Sequence, residues 1–202
     1  MGTEHFAEQV QGVRDEEILK AALKIFGERG QLMRIEDVTV AVGIGKGTLY
    51  RHYDSRLNLL RAALAFGVRE LQARAVAARD AARDAGGGHP DELTAVIAEL
   101  TTMNVRRDPG SPAILCRLAT CEQWPEPLAP AAEPTAALDP LMTQWQQDGL
   151  LDASESPAWM TTIVFGAINS PLVTSATNGS LQEVAGRVSA LIRRAFRPAP
   201  AE

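Results

Sequence analysis

An all-α fold is predicted by three features of this sequence. Apolar residues recur at three- and four-residue spacing along most of the chain, helix-starting and helix-stopping residues stand at the ends of those stretches, and no stretch alternates apolar and polar residues long enough for a strand. About nine helices are expected: a three-helix unit over 14–55 and a larger helical domain over 56–197, between a disordered tail at 1–13 and a short tail at 198–202.

Residues 1–13 carry no Lys or Arg, and a loose end is expected there. The first helix, about 14–29, repeats Ile18, Ala22, Ile25 and Phe26, opens on Asp15, Glu16 and Glu17, which suit its N-terminal dipole, and stops at Gly30. Ile35, Val38 and Val42 give the second helix one apolar face. Gly43 supplies the positive φ of a sharp turn, Ile44 plugs the corner, and Gly45 takes the N-cap of a short helix over 46–53, with Leu49 and Tyr53 inward. After Asp54 and Ser55 a long helix carries Leu57, Leu60, Leu64, Val68 and Leu71 as its buried line and reaches Gly86-Gly87-Gly88.

Pro90 and Asp91 start the next helix, with Leu93, Val96, Ile97, Leu100 and Met103 in one stripe ending near Arg106 and Arg107. Another follows over about 112–124, with Ile114, Leu115, Leu118 and Cys121. Five prolines between 125 and 140 then predict a loop without regular structure. Asp139 and Pro140 open a helix holding Leu141, Met142 and Trp145 that ends near Gly149. Ser156 and Pro157 open one that runs to Asn178-Gly179, kinked at Pro171. Ser180 and Glu183 read as a capping box for the final helix, whose stripe is Leu181, Val184, Ala185, Val188, Leu191, Ala195 and Phe196.

The chemistry is concentrated in 34–56. With Leu49 and Tyr53 inward, Lys46, Gly47, Thr48, Tyr50, Arg51 and His52 face outward, a set of donors suited to phosphate oxygens and base edges; the glycine allows close backbone approach. The net charge of −5 looks unsuited to a nucleic acid until it is resolved along the chain: 14–56 is +1, 1–13 is −2 and 57–202 is −4. Within 46–61, Lys46, Arg51, Arg56 and Arg61 stand against Asp54 alone, so positive charge gathers where the donors are. A short helix of this kind supported by another crossing in front of it is the helix-turn-helix arrangement, which reads the major groove of DNA.

The run VGIGKGTLYRHYDSR resembles the signature of the tetracycline-repressor (TetR-like) family of bacterial transcription regulators, and EEILKAALKIFGERG resembles that family's first helix. The resemblance covers about 14–64. Four positions depart from it: Met33 and Arg34 replace hydroxyl residues, Gly45 replaces a serine, and Arg56 replaces the commoner lysine. A glycine N-cap costs only a few tenths of a kcal/mol relative to serine. The resemblance implies base contacts from Thr48 and Arg51, phosphate contacts from Lys46, Tyr50, His52 and Arg56, with Arg34 replacing a lost one, and close backbone approach at Gly45 and Gly47.

It further implies a homodimer in which the last two helices, about 157–178 and 181–197, form a four-helix bundle, and a roughly palindromic double-stranded DNA operator. The row Gly166, Ser170, Thr174 at four-residue steps suits close helix approach. A small-molecule effector is implied in the C-terminal half, with Met103, Arg106, Trp124, Met142, Trp145, Phe165 and Asn169 as candidate lining and an apolar or aromatic ligand suited to them. A ligand-released repressor is the expectation; an activator of the same architecture and a protein-binding helical adaptor are the alternatives.

Other classes find little support. Only His5, His52 and His89 are available for acid–base work, none beside a Cys or Ser in a nucleophile turn, so no enzyme is expected. Cys116 and Cys121 lack metal-ligand spacing and read as ordinary buried thiols, so neither metal nor cofactor is expected. No run of about 18 apolar residues occurs, and a cytoplasmic protein without membrane contact is expected.

Overall fold

The computed structural model describes the backbone of residues 2–120, 133–170 and 180–198, with side chains from residue 14 onward. Its described residues form helices and turns, with no strand among them. Trp124, Cys121, most of the proline-rich segment, the expected kink at Pro171, Thr174 and the last four residues lie outside the described residues.

Helix α1 (Gly2–Arg29) begins a dozen residues before the expected start. The loose end expected at 1–13 is therefore helical backbone from residue 2, in a stretch free of proline. Ile18, Ala22, Leu23 and Phe26 form its buried face. A 3₁₀ turn (Gly30–Leu32) follows, with Gly30 at φ 58°. Helix α2 (Ile35–Val42) starts from an extended Arg34, whose backbone N–H is accepted by Asp37 Oδ2 at 2.9 Å, so the side chain three residues on does the capping. Gly43 adopts φ 71° and ends α2, as the turn requires. From an extended Gly45, helix α3 (Lys46–His52) buries Leu49 completely, and Ile44 and Tyr53 pack against the core beside it.

Helix α4 (Arg56–Asp84) is capped by Ser55, whose Oγ accepts the Asn58 N–H at 3.1 Å. Its buried line includes Leu60, Leu64 and Leu71 as expected. Leu59, Ala63, Phe66, Gly67 and Ala75 join it, whereas Leu57 and Val68 are only half-buried. Both of its neighbours claim a face: α1 on one side and helix α5 (His89–Arg106) on the other. One apolar cluster consequently runs from Ile18 and Phe26 through Leu60 and Leu64 to Ile97 and Trp145, and α4 belongs to both parts of the molecule.

Helix α5 ends on Arg107 in the left-handed region, φ 55°. Helix α6 (Pro112–Ala119) is followed, beyond the undescribed stretch, by a 3₁₀ turn (Pro134–Leu138) that leads directly into helix α7 (Asp139–Gln147). The expectation of a structureless loop is thus corrected at its C-terminal end. Pro134, Ala137 and Leu138 are buried against α4 and helix α8 (Pro157–Asn169), since proline suits the first position of a helical turn.

Helix α8 is capped by Ser156 Oγ on the Trp159 N–H at 3.1 Å and ends at Asn169. For helix α9 (Leu181–Ala195), Ser180 Oγ accepts the Glu183 N–H at 3.2 Å, but the Glu183 carboxylate pairs with Arg187 at 2.7 Å instead of closing the expected box. Ala185, Val188, Ile192 and Phe196 face the core; Leu191, placed in the stripe by the sequence, points outward and is 59% exposed. No helix among the described residues is long and apolar enough to cross a membrane.

Candidate nucleic-acid interface

The turn at Gly43 sets α2 and α3 so that Leu49 enters the core and the other side of α3 is left open. Arg34, Gly45, Lys46, Gly47, Tyr50, Arg51 and His52 are exposed, and Thr48 and Arg56 are half-buried. Residues from 34 to 56 are therefore brought into one domain, and those of α3 onto one outer surface. Gly45 and Gly47 have open space where a Cβ would sit, so nothing within the chain obstructs close approach of another backbone.

Lys46, Arg51, His52, Arg56 and Arg29 already have internal contacts. Lys46 Nζ forms an ion pair with the Glu36 carboxylate of α2, which holds that carboxyl below its usual range and raises the ammonium. Arg51 Nη2 donates weakly to Thr48 Oγ1 at 3.4 Å, one turn back. His52 Nδ1 lies 3.1 Å from Asp15 Oδ1 of α1, an ion pair only when the imidazole is protonated. Arg56 donates to the Gln31 carbonyl at 2.7 Å, so its guanidinium also staples the 3₁₀ turn to the start of α4. Arg29 bonds Asp37 at 2.6 Å; the Arg34 backbone N–H and this guanidinium hold the Asp37 carboxyl below its ordinary value.

Two features of this surface escaped the sequence reading. Glu36 is the acidic partner of Lys46, and Val40, one turn further along α2, is 81% exposed. Glu36 and Val40 share a face because they are four residues apart. The signal was the failure of both to fall on the stripe Ile35, Val38, Val42.

The match to known proteins falls on this unit. Residues 18–63 fit the family model described as "Bacterial regulatory proteins, tetR family". The N-terminal domain is of the TetR type. Solved structures of transcription regulators share the fold over 90–94% of this chain. A protein from Rhodococcus sp. described as a TetR-family transcriptional regulator is 26% identical, with 91% of this chain and 98% of that chain covered and a TM-score of 0.65. A TetR family transcription regulator from Marinobacter aquaeolei VT8 is 18% identical over 94% of this chain and 98% of that one, with a TM-score of 0.67. FadR from Bacillus subtilis, a transcriptional regulator solved in complex with stearoyl-CoA, is 15% identical over 90% and 99%, with a TM-score of 0.61. No curated protein matches the chain.

In the C-terminal part of the chain, the residues expected to line an effector pocket are dispersed. Met103, Met142, Trp145 and Phe165 are at most 3% exposed and pack into the core. Trp145 Nε1 donates to Glu92 Oε2 at 3.2 Å. Arg106 is exposed at the end of α5. Asn169 accepts a 2.7 Å bond from Asn104 Nδ2 and borders a cleft of about 610 Å³. Glu92 itself was unforeseen: it is 2% exposed, bonded by Arg83 at 2.9 and 3.2 Å, and the guanidinium together with the indole N–H holds its carboxyl down to about 2. Burial pushes the Cys116 thiol up to about 11, which leaves little thiolate for chemistry.

Proposed function

We propose that this chain is a homodimeric repressor that binds a palindromic DNA operator through α3 and is released by a small-molecule effector bound in its C-terminal part. The observation that carries the reading is the open outer face of α3, with Lys46, Thr48, Tyr50 and Arg51 free of the core and two glycines permitting close approach. Thr48 and Arg51 are the base-reading pair; Lys46, Tyr50, His52, Arg34 and Arg56 serve the phosphates. Val40 adds an apolar group suited to a thymine methyl.

Support for the dimer comes from the outer surfaces of α8 and α9, which pack on each other. Trp159 is 50% exposed and Leu191 59%, and Gly166 has open space around it for a second helix to approach. Repression by release requires that the effector favour one spacing of the two α3 helices over the other, by a coupling of roughly 1–3 kcal/mol.

DNase footprinting upstream of the protein's own gene, at two salt concentrations, tests the reading. A protected palindrome whose occupancy falls steeply with salt is the expected result. A folded dimer that protects no site there, and that enriches no fragment from genomic DNA, would sink it.

A further inference from the structure

Between the end of α1 and the C-terminal helices lies a cleft of about 610 Å³, with Gly27 and Glu28 on one wall, the ends of α5 and α8 opposite, and α6 beneath. We propose that this cleft binds a small organic monoanion, a carboxylate on an aliphatic body, and that its occupant is the effector whose release function was proposed above. The coupling half of this inference rests on that reading; the binding half does not.

The polar end of the site is built around Ser111. Serine stands here at the N-cap of α6, where its hydroxyl ordinarily accepts a helix N–H, yet it makes no such bond. Asn104 has taken the role: its Oδ1 accepts the Ala113 N–H at 3.0 Å, while its Nδ2 donates to Asn169 Oδ1 at 2.7 Å and the Ile168 carbonyl at 3.3 Å. The Ser111 hydroxyl is thereby left 1% exposed on the cleft lining with no hydrogen-bond partner among the described residues. A buried hydroxyl without a partner is a costly arrangement that a ligand oxygen would relieve.

Charge indicates which oxygen. Arg107 also lines the cleft, held in the left-handed region at φ 55°, where a non-glycine residue is strained. Arg117 lines it as well, stacked over Phe26 and donating to the Phe26 and Gly27 carbonyls at the end of α1. Against these two cations stands Glu28 alone, so one negative charge balances the lining. The remaining lining includes Val105, Ala113, Ile114 and Ile168, which suit an aliphatic body. Because one wall is α1, a ligand that spreads or closes the cleft acts on the DNA-binding domain directly.

Isothermal titration of the full-length protein with octanoate, and with 1-octanol as the uncharged match, tests the site. Octanoate is expected to bind about tenfold or more tightly than octanol. Arg107→Asn, which keeps a residue tolerant of the left-handed backbone, should remove that preference without lowering the melting temperature, and Ala113→Trp, which fills the cleft, should abolish binding of both. Absence of octanoate binding at millimolar concentration, or binding that neither variant alters in a folded protein, overturns the proposal. Operator release is read separately: octanoate should lower operator affinity in the parent and not in Ala113→Trp, and binding without release would refute the coupling. A protein that binds octanoate as described but no DNA at all would refute the repressor reading and leave the site standing.

Discussion

Lys46 makes its ion pair with Glu36 across the gap between α2 and α3, so in the absence of DNA the cation expected on a phosphate is already occupied. A phosphate must displace that carboxylate. Glu36→Gln should therefore tighten binding to all DNA sequences alike, by about two- to fivefold as suits an exposed pair, in a fluorescence anisotropy titration. Lys46→Ala should weaken all sequences alike and reduce the slope of log K against log salt by about one. Loss confined to one base position would contradict the phosphate role.

Glu92 carries a second consequence at the same scale. Its carboxyl is held by Arg83 and Trp145 at about 2, below the ordinary 4.5, so the folded state binds its proton less readily than the unfolded chain does. The stabilisation is complete above the ordinary value and disappears as pH falls through about 2. Urea denaturation should show Glu92→Ala destabilised by about 3 kcal/mol at neutral pH, because Arg83 loses its buried carboxylate and Trp145 Nε1 its acceptor. The gap between variant and parent should narrow between pH 5 and 3, and a constant gap would mean that the ion pair is not its source.

At the scale of elements, the α2–α3 unit depends on one backbone conformation. Gly43 sits at φ 71° with open space around it, so Gly43→Ala adds no clash and isolates the strain of a left-handed alanine. A loss of about 1 kcal/mol in a thermal melt is expected. This unit was legible in the sequence because its determinants are local: the stripe of α2, the glycine turn and the inward Leu49 all fall within 15 residues. Elements whose limits depend on packing were less legible. The 3₁₀ turn over 134–138 reads as loop from its proline content alone, and only α4 and α8 supply the apolar surface that covers Ala137 and Leu138. On α9 the stripe was read correctly at Ala185, Val188 and Phe196, yet Leu191 faces out and Ile192 in, because helical spacing gives a periodicity without naming which flank meets the core.

Across the whole molecule, α1, α4 and α6 meet at Gly67, where an added Cβ would stand 2.5 Å from Leu115 Cδ2 and 3.0 Å from Leu23 Cδ1. Gly67→Ala is expected to destabilise the protein by about 1–3 kcal/mol through overpacking, in contrast to the strain at Gly43. For the outer face of α8 and α9, sedimentation is expected to show dimers for the parent and monomers for Trp159→Glu/Leu191→Glu, with operator affinity lost alongside. A variant that stays dimeric would place the interface elsewhere. The sequence by itself determined the all-α class, the helix-turn-helix unit and its outward donors, since these follow from spacing and capping within a few turns of helix. Only the tertiary structure decided that Met103, Met142, Trp145 and Phe165 fill the core, that Glu92 is buried on an arginine nine residues away and an indole fifty-three residues away, and that Ser111 and Arg107 open on a cleft against α1. An apolar residue on a helix reports that it will be buried; whether it is buried against protein or around a space depends on elements distant in sequence.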